Sequence, residues 1–371
     1  MQFIDLQAQR ARISAEIDKN IQTVLEHGRF VMGPELIELE KELAEFGEAK
    51  YALGCGSGTD ALLLPLMTWN IGPADAVFCP SFTYCATAEV VALLGATPFF
   101  VDVDPHTYNM DPTSLKQAIS DVKSRSDLTA KAIIIVDLFG QAADYETLAP
   151  IAREAGLKII SDSAQGFGST LNDKHPLHWS DATATSFFPA KPLGCYGDGG
   201  AVLTNSEEDM LAMDSMRIHG KGTDKYDNVR IGMNSRLDTL QAAILRPKLT
   251  IFPEEITLRN KIANRYIEGL KGHVEKIPTV MNGVVSTWAQ FTIEVSNPNE
   301  LQSKLGQNNV PSARYYPVPT HAQQAYKDFP ICSDGLTVTN TIKEKVISLP
   351  MHPYLSEDDQ DKVINTVIKS L

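Results

Sequence analysis

The hydrophobic positions between residues 76 and 204 fall in short runs that alternate with stretches of helical spacing. Several runs are apolar on both faces, which is typical of strands covered by helices on each side. They predict strands at Ala76–Cys79, Thr97–Val103, Lys131–Leu138, Lys158–Asp162, Thr183–Phe188 and Ala201–Thr204. Helices are predicted between them, near residues 59–69, 85–94, 112–120 and 144–155. This alternation predicts an α/β fold with helices on both faces of a mostly parallel central sheet.

The segments on either side of this region complete the predicted architecture. Ile13, Ile17 and Ile21 recur at helical spacing and predict an N-terminal helix over 11–27. Beyond residue 205, helices are predicted at 207–217 and 236–270. A second α/β pattern follows, with predicted elements at Trp288–Val295 (strand), 298–306 (helix), Val346–Leu349 (strand) and a last helix capped by Ser356. We therefore predict a large domain over 1–250, with the N-terminal helix included, and a smaller C-terminal α/β domain over 251–371.

The charge balance narrows the possible partners. The 371 residues carry 33 Lys and Arg against 46 Asp and Glu, a formal net charge of −13. This argues against nucleic acid or an anionic membrane as partner, because both need clustered cations. No apolar run approaches the roughly 20 residues that span a bilayer, and no signal peptide is expected at the N-terminus. The five cysteines show no CxxC spacing, so a reduced, cytoplasmic protein is expected.

A glycine-rich turn, Gly54-Cys55-Gly56-Ser57-Gly58, runs directly into an apolar helix that begins Thr59-Asp60-Ala61-Leu62. Glycines let a backbone approach an anion closely, and a helix start supplies free N–H groups with partial positive charge. The turn therefore predicts an anion cradle, although a tight connection without a ligand would have the same sequence. A dinucleotide site is not expected, because the spacing differs from GxGxxG and no acidic strand end follows at the required distance.

Two other segments place ionisable groups beside buried strands. Asp162 ends an apolar strand, where open α/β sheets hold their ligands, although a lone aspartate also commonly serves as a cap or turn residue. Lys191 follows Phe187 and Phe188 and precedes a loop with four glycines between residues 194 and 200. Most lysines are solvated surface charges, but apolar neighbours would desolvate this one. Its pKa would then fall and its amine would become nucleophilic towards a carbonyl.

The three segments together suit pyridoxal 5'-phosphate (PLP). Its phosphate would take the helix start, its pyridinium nitrogen would pair with Asp162, and its carbonyl would react with Lys191. Tyr84 is the candidate aromatic residue to stack on the ring, although a half-buried tyrosine at a strand end would have the same sequence context.

With these motifs the chain resembles the DegT/DnrJ/EryC1/StrS family of nucleotide-sugar aminotransferases, which aminate keto-sugars for surface polysaccharides and antibiotics. The likeness extends from Phe3-Ile4-Asp5-Leu6 to Leu349-Pro350-Met351-His352-Pro353, and residues 186–200 are its most specific part. Residues 30–35, 191–196 and 234–245 look most like enzymes that aminate C3 of UDP-2-acetamido-2-deoxy-3-oxo-glucuronate with glutamate as donor. The resemblance implies a fold-type I PLP-dependent transferase that acts in O-antigen (lipopolysaccharide) biosynthesis.

The resemblance also implies contacts for individual residues. Lys191 is the expected Schiff-base lysine, and Asp162 is the expected partner of the pyridinium nitrogen. The other expected cofactor contacts are Gly58, Thr59 and Ser186 to the phosphate, Gln165 to the ring oxygen and Tyr84 to the ring face.

Four further residues concern the partner subunit and the substrate. Asn234 is expected to reach the phosphate of the neighbouring subunit's cofactor, which implies a homodimer with shared active sites. Arg236 would grip the substrate's carboxylate bidentately, unless it is an ordinary helix-surface charge. Tyr316 is expected near the active site. Tyr315 stands where close relatives carry histidine, and a phenol supplies no titratable base near neutrality.

Other functions remain open at this point. A PLP-dependent sugar dehydratase is disfavoured, because such relatives have histidine in place of Lys191. An aminotransferase for a 4-keto UDP- or dTDP-6-deoxy-sugar and a non-catalytic sensor of the cofactor or sugar nucleotide are the alternatives. No metal site is expected, since His175 and His178 lie in a polar loop without further clustered ligands.

Overall fold

The computed structural model describes residues 1–224 and 226–371. Its strands are β1 (Tyr51–Cys55), β2 (Asp75–Pro80), β3 (Thr97–Val101), β4 (Thr129–Val136), β5 (Lys158–Asp162), β6 (Thr170–Leu171), β7 (Ala182–Ser186), β8 (Gly200–Thr204), β9 (Val284–Val285), β10 (Phe291–Glu294) and β11 (Val346–Leu349). Its α-helices are α1 (Leu6–His27), α2 (Pro34–Phe46), α3 (Gly58–Thr68), α4 (Ala86–Leu93), α5 (Pro112–Lys123), α6 (Tyr145–Glu154), α7 (Glu207–Met216), α8 (Thr239–Leu270), α9 (Pro298–Gln307), α10 (Thr337–Ile342) and α11 (Glu357–Ser370).

The central sheet has the strand order β1-β8-β7-β5-β4-β2-β3. The strands from β7 to β3 are parallel to their neighbours, whereas β8 runs antiparallel to both β1 and β7. The prediction of a mostly parallel sheet in an α/β fold is therefore confirmed. Because β5 and β7 are adjacent and parallel, their carboxyl ends, at Asp162 and Ser186, meet at the same edge of the sheet.

Both faces of this sheet are buried, which explains its continuous apolar runs. Successive side chains of a strand point to opposite faces. In β4, Ile134 therefore packs into one core cluster while Ile133 and Ile135 pack into another. In β5, Ile160 and Ile159 divide between the same two clusters. Helices α3 and α4 contribute to the first cluster, and α5 and α6 to the second.

A further core cluster lies in the C-terminal part of the chain. It joins the second half of α8 to α9, α11 and the antiparallel pair of β10 and β11. Helix α8 runs without a break through residue 250, so it links this cluster to the central sheet. The division at residues 250 and 251 stays a prediction. No helix in the described ranges 1–224 and 226–371 has the length and apolarity that crossing a bilayer requires.

The predicted element boundaries agree closely with the structure. The strands Lys158–Asp162 and Val346–Leu349 are confirmed to the residue. The strand predicted from Trp288 begins only at Phe291, because Trp288 has a φ of 46°, outside the extended region. The first helix begins at Leu6 rather than near residue 11, since Asp5 caps it by accepting a hydrogen bond from the amide of Ala8 at 2.9 Å. Helix α2 and strand β1 were not predicted.

Candidate active site

A cavity of about 710 Å³ lies at the carboxyl ends of β5 and β7, beside the start of α3. The sequence-predicted residues that line it are Gly58, Thr59, Tyr84, Asp162, Gln165, Ser186, Lys191 and Tyr316. Other lining residues include Ser57, Cys85, Asp198, Gln290, Arg314 and Tyr315. The cavity therefore brings together groups from distant segments, such as Gly58 and Tyr316, which are 258 positions apart in the chain.

The start of α3 forms one wall of the cavity. Ser57 caps the helix by accepting a hydrogen bond from the amide of Asp60 at 3.1 Å. Within the described chain, the amides of Gly58 and Thr59 make no hydrogen bond, so they are available to an anion. A Cβ at Gly58 would lie 2.5 Å from the Cβ of Ser186. Only glycine therefore lets the helix start approach the end of β7 so closely.

Asp162 lies at the floor of the cavity, where β5 ends. Its carboxylate accepts hydrogen bonds from the hydroxyl of Thr87 at 2.9 Å and from the amide of Ala164 at 3.2 Å. Burial raises the pKa of Asp162, while these two hydrogen bonds and the charge of Lys191 oppose the rise. The carboxylate is thus a buried anion that would gain from a cationic partner.

Lys191 reaches the same cavity from the loop that follows β7. This loop is closed at its base, because Phe187 donates from its amide to the carbonyl of Gly199 at 2.8 Å. Burial lowers the pKa of Lys191, and the negative charge of Asp162 partly offsets that effect. The neutral, nucleophilic form of the amine is therefore easier to reach than in an exposed lysine.

Gln165 and Tyr316 form a fixed pair on another wall. The side-chain carbonyl of Gln165 accepts a hydrogen bond from the amide of Phe139 at 2.7 Å. Its amide nitrogen donates to the Tyr316 hydroxyl at 2.9 Å. Burial raises the pKa of Tyr316, so this phenol stays protonated near neutrality. Tyr84 lies at the rim with 57% of its surface exposed, which leaves its ring free to stack on a ligand.

Asn234 and Arg236 do not line the cavity of their own chain. Between them, the Ser235 hydroxyl donates to the carboxylate of Asp60 at 2.7 Å and accepts from the amide of Gly56 at 3.2 Å. This segment is therefore anchored to the glycine-rich turn behind α3. Asn234 is exposed and Arg236 half-buried, and neither side chain has a hydrogen bond or ion pair to any residue that the structure describes.

Two residues with structural roles at the site were missed from the sequence, Thr87 behind Asp162 and Arg314 in the cavity lining. Thr87 binds Asp162, but the two residues are 75 positions apart and no local signal marks the pairing. Arg314 lines the cavity, yet its guanidinium donates to Asn299 at 2.8 Å and to the carbonyl of Lys343 at 2.5 Å. Among the residues lining the cavity, Lys191 is thus the only cation without such a hydrogen-bonded partner in the described chain.

The arrangement fits PLP by its chemistry. The free amides at the start of α3 suit a phosphate, the buried carboxylate of Asp162 suits a protonated ring nitrogen, and the desolvated amine of Lys191 suits a carbonyl. The close approach at Gly58 is further support, since a side chain there would push the helix start away from Ser186.

Comparisons with known proteins agree with this geometry. The sequence model described as the DegT/DnrJ/EryC1/StrS aminotransferase family matches residues 11–368. A UDP-2-acetamido-2-deoxy-3-oxo-D-glucuronate aminotransferase of Pseudomonas aeruginosa is 47% identical over 355 residues, 96% of each chain. A crystal structure of a DegT DnrJ EryC1 StrS aminotransferase from Brucella abortus has 50% identity and a TM-score of 0.97, covering 99% of this chain and 98% of that one. NtdA from Bacillus subtilis, crystallised with bound cofactor PMP, has 28% identity and a TM-score of 0.86, with coverages of 99% and 83%.

Proposed function

The chain belongs to the DegT/DnrJ/EryC1/StrS aminotransferase family, and from that premise we propose that it transfers the amino group of glutamate to C3 of UDP-2-acetamido-2-deoxy-3-oxo-glucuronate. It is a PLP-dependent aminotransferase. The observation that carries the proposal is the convergence of Lys191, Asp162 and the start of α3 on one cavity. The relative from Pseudomonas aeruginosa, which acts on that sugar by its name, supports the choice of substrate.

Different residues of the cavity would bind different parts of the cofactor. Gly58, Thr59 and Ser186 would bind its phosphate, Asp162 would hold a proton on the ring nitrogen, and Gln165 would bind the ring oxygen. When bound, PLP supplies an electrophilic carbon for an amine and an electron sink for the bonds around that carbon. Tyr84 would cover the exposed face of the ring.

Lys191 has two tasks in this proposal. Its amine would hold the cofactor in the resting enzyme, and once released by glutamate the neutral amine would take up the proton from glutamate Cα. Proton transfer requires the neutral amine, which the burial of Lys191 favours by lowering its pKa. Borohydride reduction followed by peptide mapping should place the cofactor adduct on Lys191, and an adduct on any other lysine would contradict the assignment.

The substrate's negative charges need cations that the cavity of one chain does not offer. A UDP-linked uronate carries a diphosphate and a carboxylate. Arg314 is already engaged with Asn299 and Lys343, and Asp198 adds a negative charge at the wall. We therefore assign the substrate's carboxylate to Arg236 of a second copy of the chain, because that guanidinium has no partner among the described residues of its own chain.

The surface around this segment supports a homodimer. Phe30, Val31 and Ile231 are exposed, and residues 30 and 31 lie beside the start of α8 through contacts with Thr239 and Asp238. Neighbouring exposed apolar residues such as Phe30 and Val31 typically mark an interface. In the homodimer, Asn234 of each chain would bind the cofactor phosphate in its partner.

An amine-transfer screen tests the reaction and the sugar together. Purified enzyme with glutamate is offered the 3-oxo-glucuronate, its analogue without the carboxylate, and a 4-keto dTDP-6-deoxy-sugar. We expect stoichiometric 2-oxoglutarate and amino sugar with the first, and none with the Lys191→Ala control. Preference for either of the others would refute the glucuronate proposal and the role of Arg236. Absence of turnover with all three would favour a sensor of the sugar nucleotide.

Mixing two inactive variants tests the shared site. Lys191→Ala and Arg236→Ala are each expected to be inactive, but their mixed dimer has one site with both native residues. Random reassociation makes half of the dimers mixed, so activity should recover to about a quarter of that of the native enzyme. Failure to recover in dimers shown to have exchanged would place both residues in the same site of one chain.

The product chemistry suggests the biological setting. An amino-sugar nucleotide is an activated building block, and we propose that this one serves lipopolysaccharide O-antigen synthesis in the cytoplasm. The acidic net charge of −13 agrees with a small-molecule substrate rather than a nucleic acid or a membrane surface.

A further inference from the structure

Lys248, on α8, is fully buried although it has no carboxylate within ion-pair distance among the residues described. Its ammonium donates to the carbonyl of Gly194 at 2.6 Å and lies 4.2 Å from the centre of the Tyr196 ring. Burial lowers the pKa of Lys248 to about 8, while the more distant charge of Glu255 opposes the shift. A buried lysine of this kind is costly, so its retention calls for a specific contact.

The contact of Lys248 falls on the loop that carries Lys191. Gly194 is packed so tightly that a Cβ there would lie 2.6 Å from the carbonyl oxygens of Phe188 and Pro189. The next residue, Cys195, donates from its amide to the carbonyl of Phe187 at 2.8 Å. Any movement of Gly194 is therefore passed directly to the backbone that precedes Lys191.

A second residue of α8 holds the same loop. Gln241 lies seven residues before Lys248, two turns away on the same face of the helix. Its side-chain carbonyl accepts a hydrogen bond from the amide of Tyr196 at 2.9 Å. The helix thus binds the loop on both sides of Cys195, once through a cation and once through an amide.

We propose that Lys248 is a positioning residue for Lys191. By fixing the Gly194 carbonyl it holds the loop closed, and the closed loop keeps the amine of Lys191 in its desolvated place in the cavity. The inference rests on the proposed function of Lys191 as the cofactor-linking amine. Lys248 itself does not line the cavity.

The test compares Lys248→Met with Lys261→Met, a matched control at an exposed position of the same helix. In cofactor-free protein, the rate at which a limiting acylating reagent labels Lys191 is followed against pH by peptide mass mapping. A loosened loop admits water to the Lys191 amine. The midpoint of the pH profile of Lys191 labelling should therefore rise by about one pH unit in Lys248→Met. At pH values below the midpoint, this corresponds to a tenfold smaller fraction of neutral amine. The control should keep the native midpoint.

If Lys248 only stabilises the fold and does not position Lys191, a different outcome is expected. Lys248→Met would then lose thermal stability while its Lys191 midpoint stayed native, and that result would overturn the proposal. Should Lys248→Met fail to fold, Lys248→Gln, which keeps a neutral donor, and Gln241→Leu decide instead. Each of these two variants should raise the midpoint of Lys191 labelling by less than one pH unit. If both variants keep the native midpoint, the proposal is overturned as well.

The readout also separates this inference from the proposed reaction. Labelling needs neither sugar nor glutamate, so a wrong choice of keto-sugar leaves its result unaffected. In cofactor-loaded protein, the pH midpoint of the visible absorption band should shift in the same direction in Lys248→Met. If the native protein fails to form that band at all, the proposed function fails, while the labelling midpoint still reports on the loop.

Discussion

The hydrogen bond from Thr87 to Asp162 offers a sharp test of how this cavity holds its cofactor. Thr87 is buried at the start of α4, and its hydroxyl lies 2.9 Å from the Asp162 carboxylate. Thr87→Val keeps the shape of the side chain and removes only the donor. A hydrogen bond to a charged group contributes about 1.5–3 kcal/mol, and 1.36 kcal/mol corresponds to one pKa unit. The pKa of Asp162, already raised by burial, should therefore rise further by about one to two units.

The expected consequence is weaker binding of PLP. A carboxyl group that is more readily protonated is a poorer partner for a protonated ring nitrogen, and the same energy predicts a roughly 10- to 150-fold increase in the dissociation constant. The loss should be largest at acidic pH, where Asp162 of the variant takes up its proton. Equilibrium dialysis of PLP between pH 6 and pH 9 measures both effects.

Thr292→Val is the matched control for this substitution. Thr292 is equally buried, but its hydroxyl bonds to Ser348 in the small sheet of β10 and β11, and Thr292 does not line the cavity. We expect its PLP affinity to be native at every pH. Native affinity and a native pH profile in Thr87→Val would refute the proposed pairing of Asp162 with the cofactor ring.

Three further substitutions probe other contacts. Burial raises the pKa of Asp137 to about 7, so the free energy of unfolding should fall as pH rises from about 4 to 7, where only the unfolded chain has released this proton. Asp137→Asn should flatten this pH dependence when it is measured by urea unfolding. An unchanged pH dependence in the variant would contradict the raised pKa. Gly58→Ala adds a Cβ 2.5 Å from that of Ser186 and should weaken PLP binding at least about fivefold by dialysis, whereas native affinity would argue against the close approach. Tyr316→Phe removes the partner of Gln165 and should lower kcat more than PLP affinity in steady-state and dialysis measurements; equal kcat would exclude a role.

The hydrophobic pattern within single segments correctly predicted the strands that are buried on both faces. Strands β4 and β5 are apolar on both faces, so their runs are continuous and easy to recognise. Strand β1 was missed because Tyr51–Cys55 is short and contains a glycine. Helix α2 could have been found, since its buried Leu36, Leu39 and Leu43 follow helical spacing. Strand β8 is antiparallel to β1 and β7, and the choice of these neighbours cannot be predicted from the hydrophobic periodicity of the β8 segment alone.

The same division between local and distant information applies to the site. Gly58, Asp162 and Lys191 could be singled out because each lies in a short motif, and the motifs together with the family resemblance predict their contacts to phosphate, ring nitrogen and carbonyl. The sequence also predicted that they share one site, because PLP needs all three groups, and in the structure β5 and β7 end at the same sheet edge. The proposed contacts of Asn234 and Arg236 could not be derived in this way, because neither residue lines the cavity of its own chain.

The residues that tune the site were missed for a physical reason. A charged group in a desolvated cavity needs partners, and the local chain that carries it cannot supply them all without filling the cavity itself. Asp162 is therefore stabilised by Thr87 from α4, and the loop of Lys191 is held by Lys248 from α8. Both partners lie on helices that are remote in sequence from the group they contact. Thr87 and Asp162 are more than 50 residues apart, and so are Lys248 and Gly194. Substitutions at such distant partners should shift pKa values and binding constants, whereas substitution of Lys191 itself should abolish the reaction.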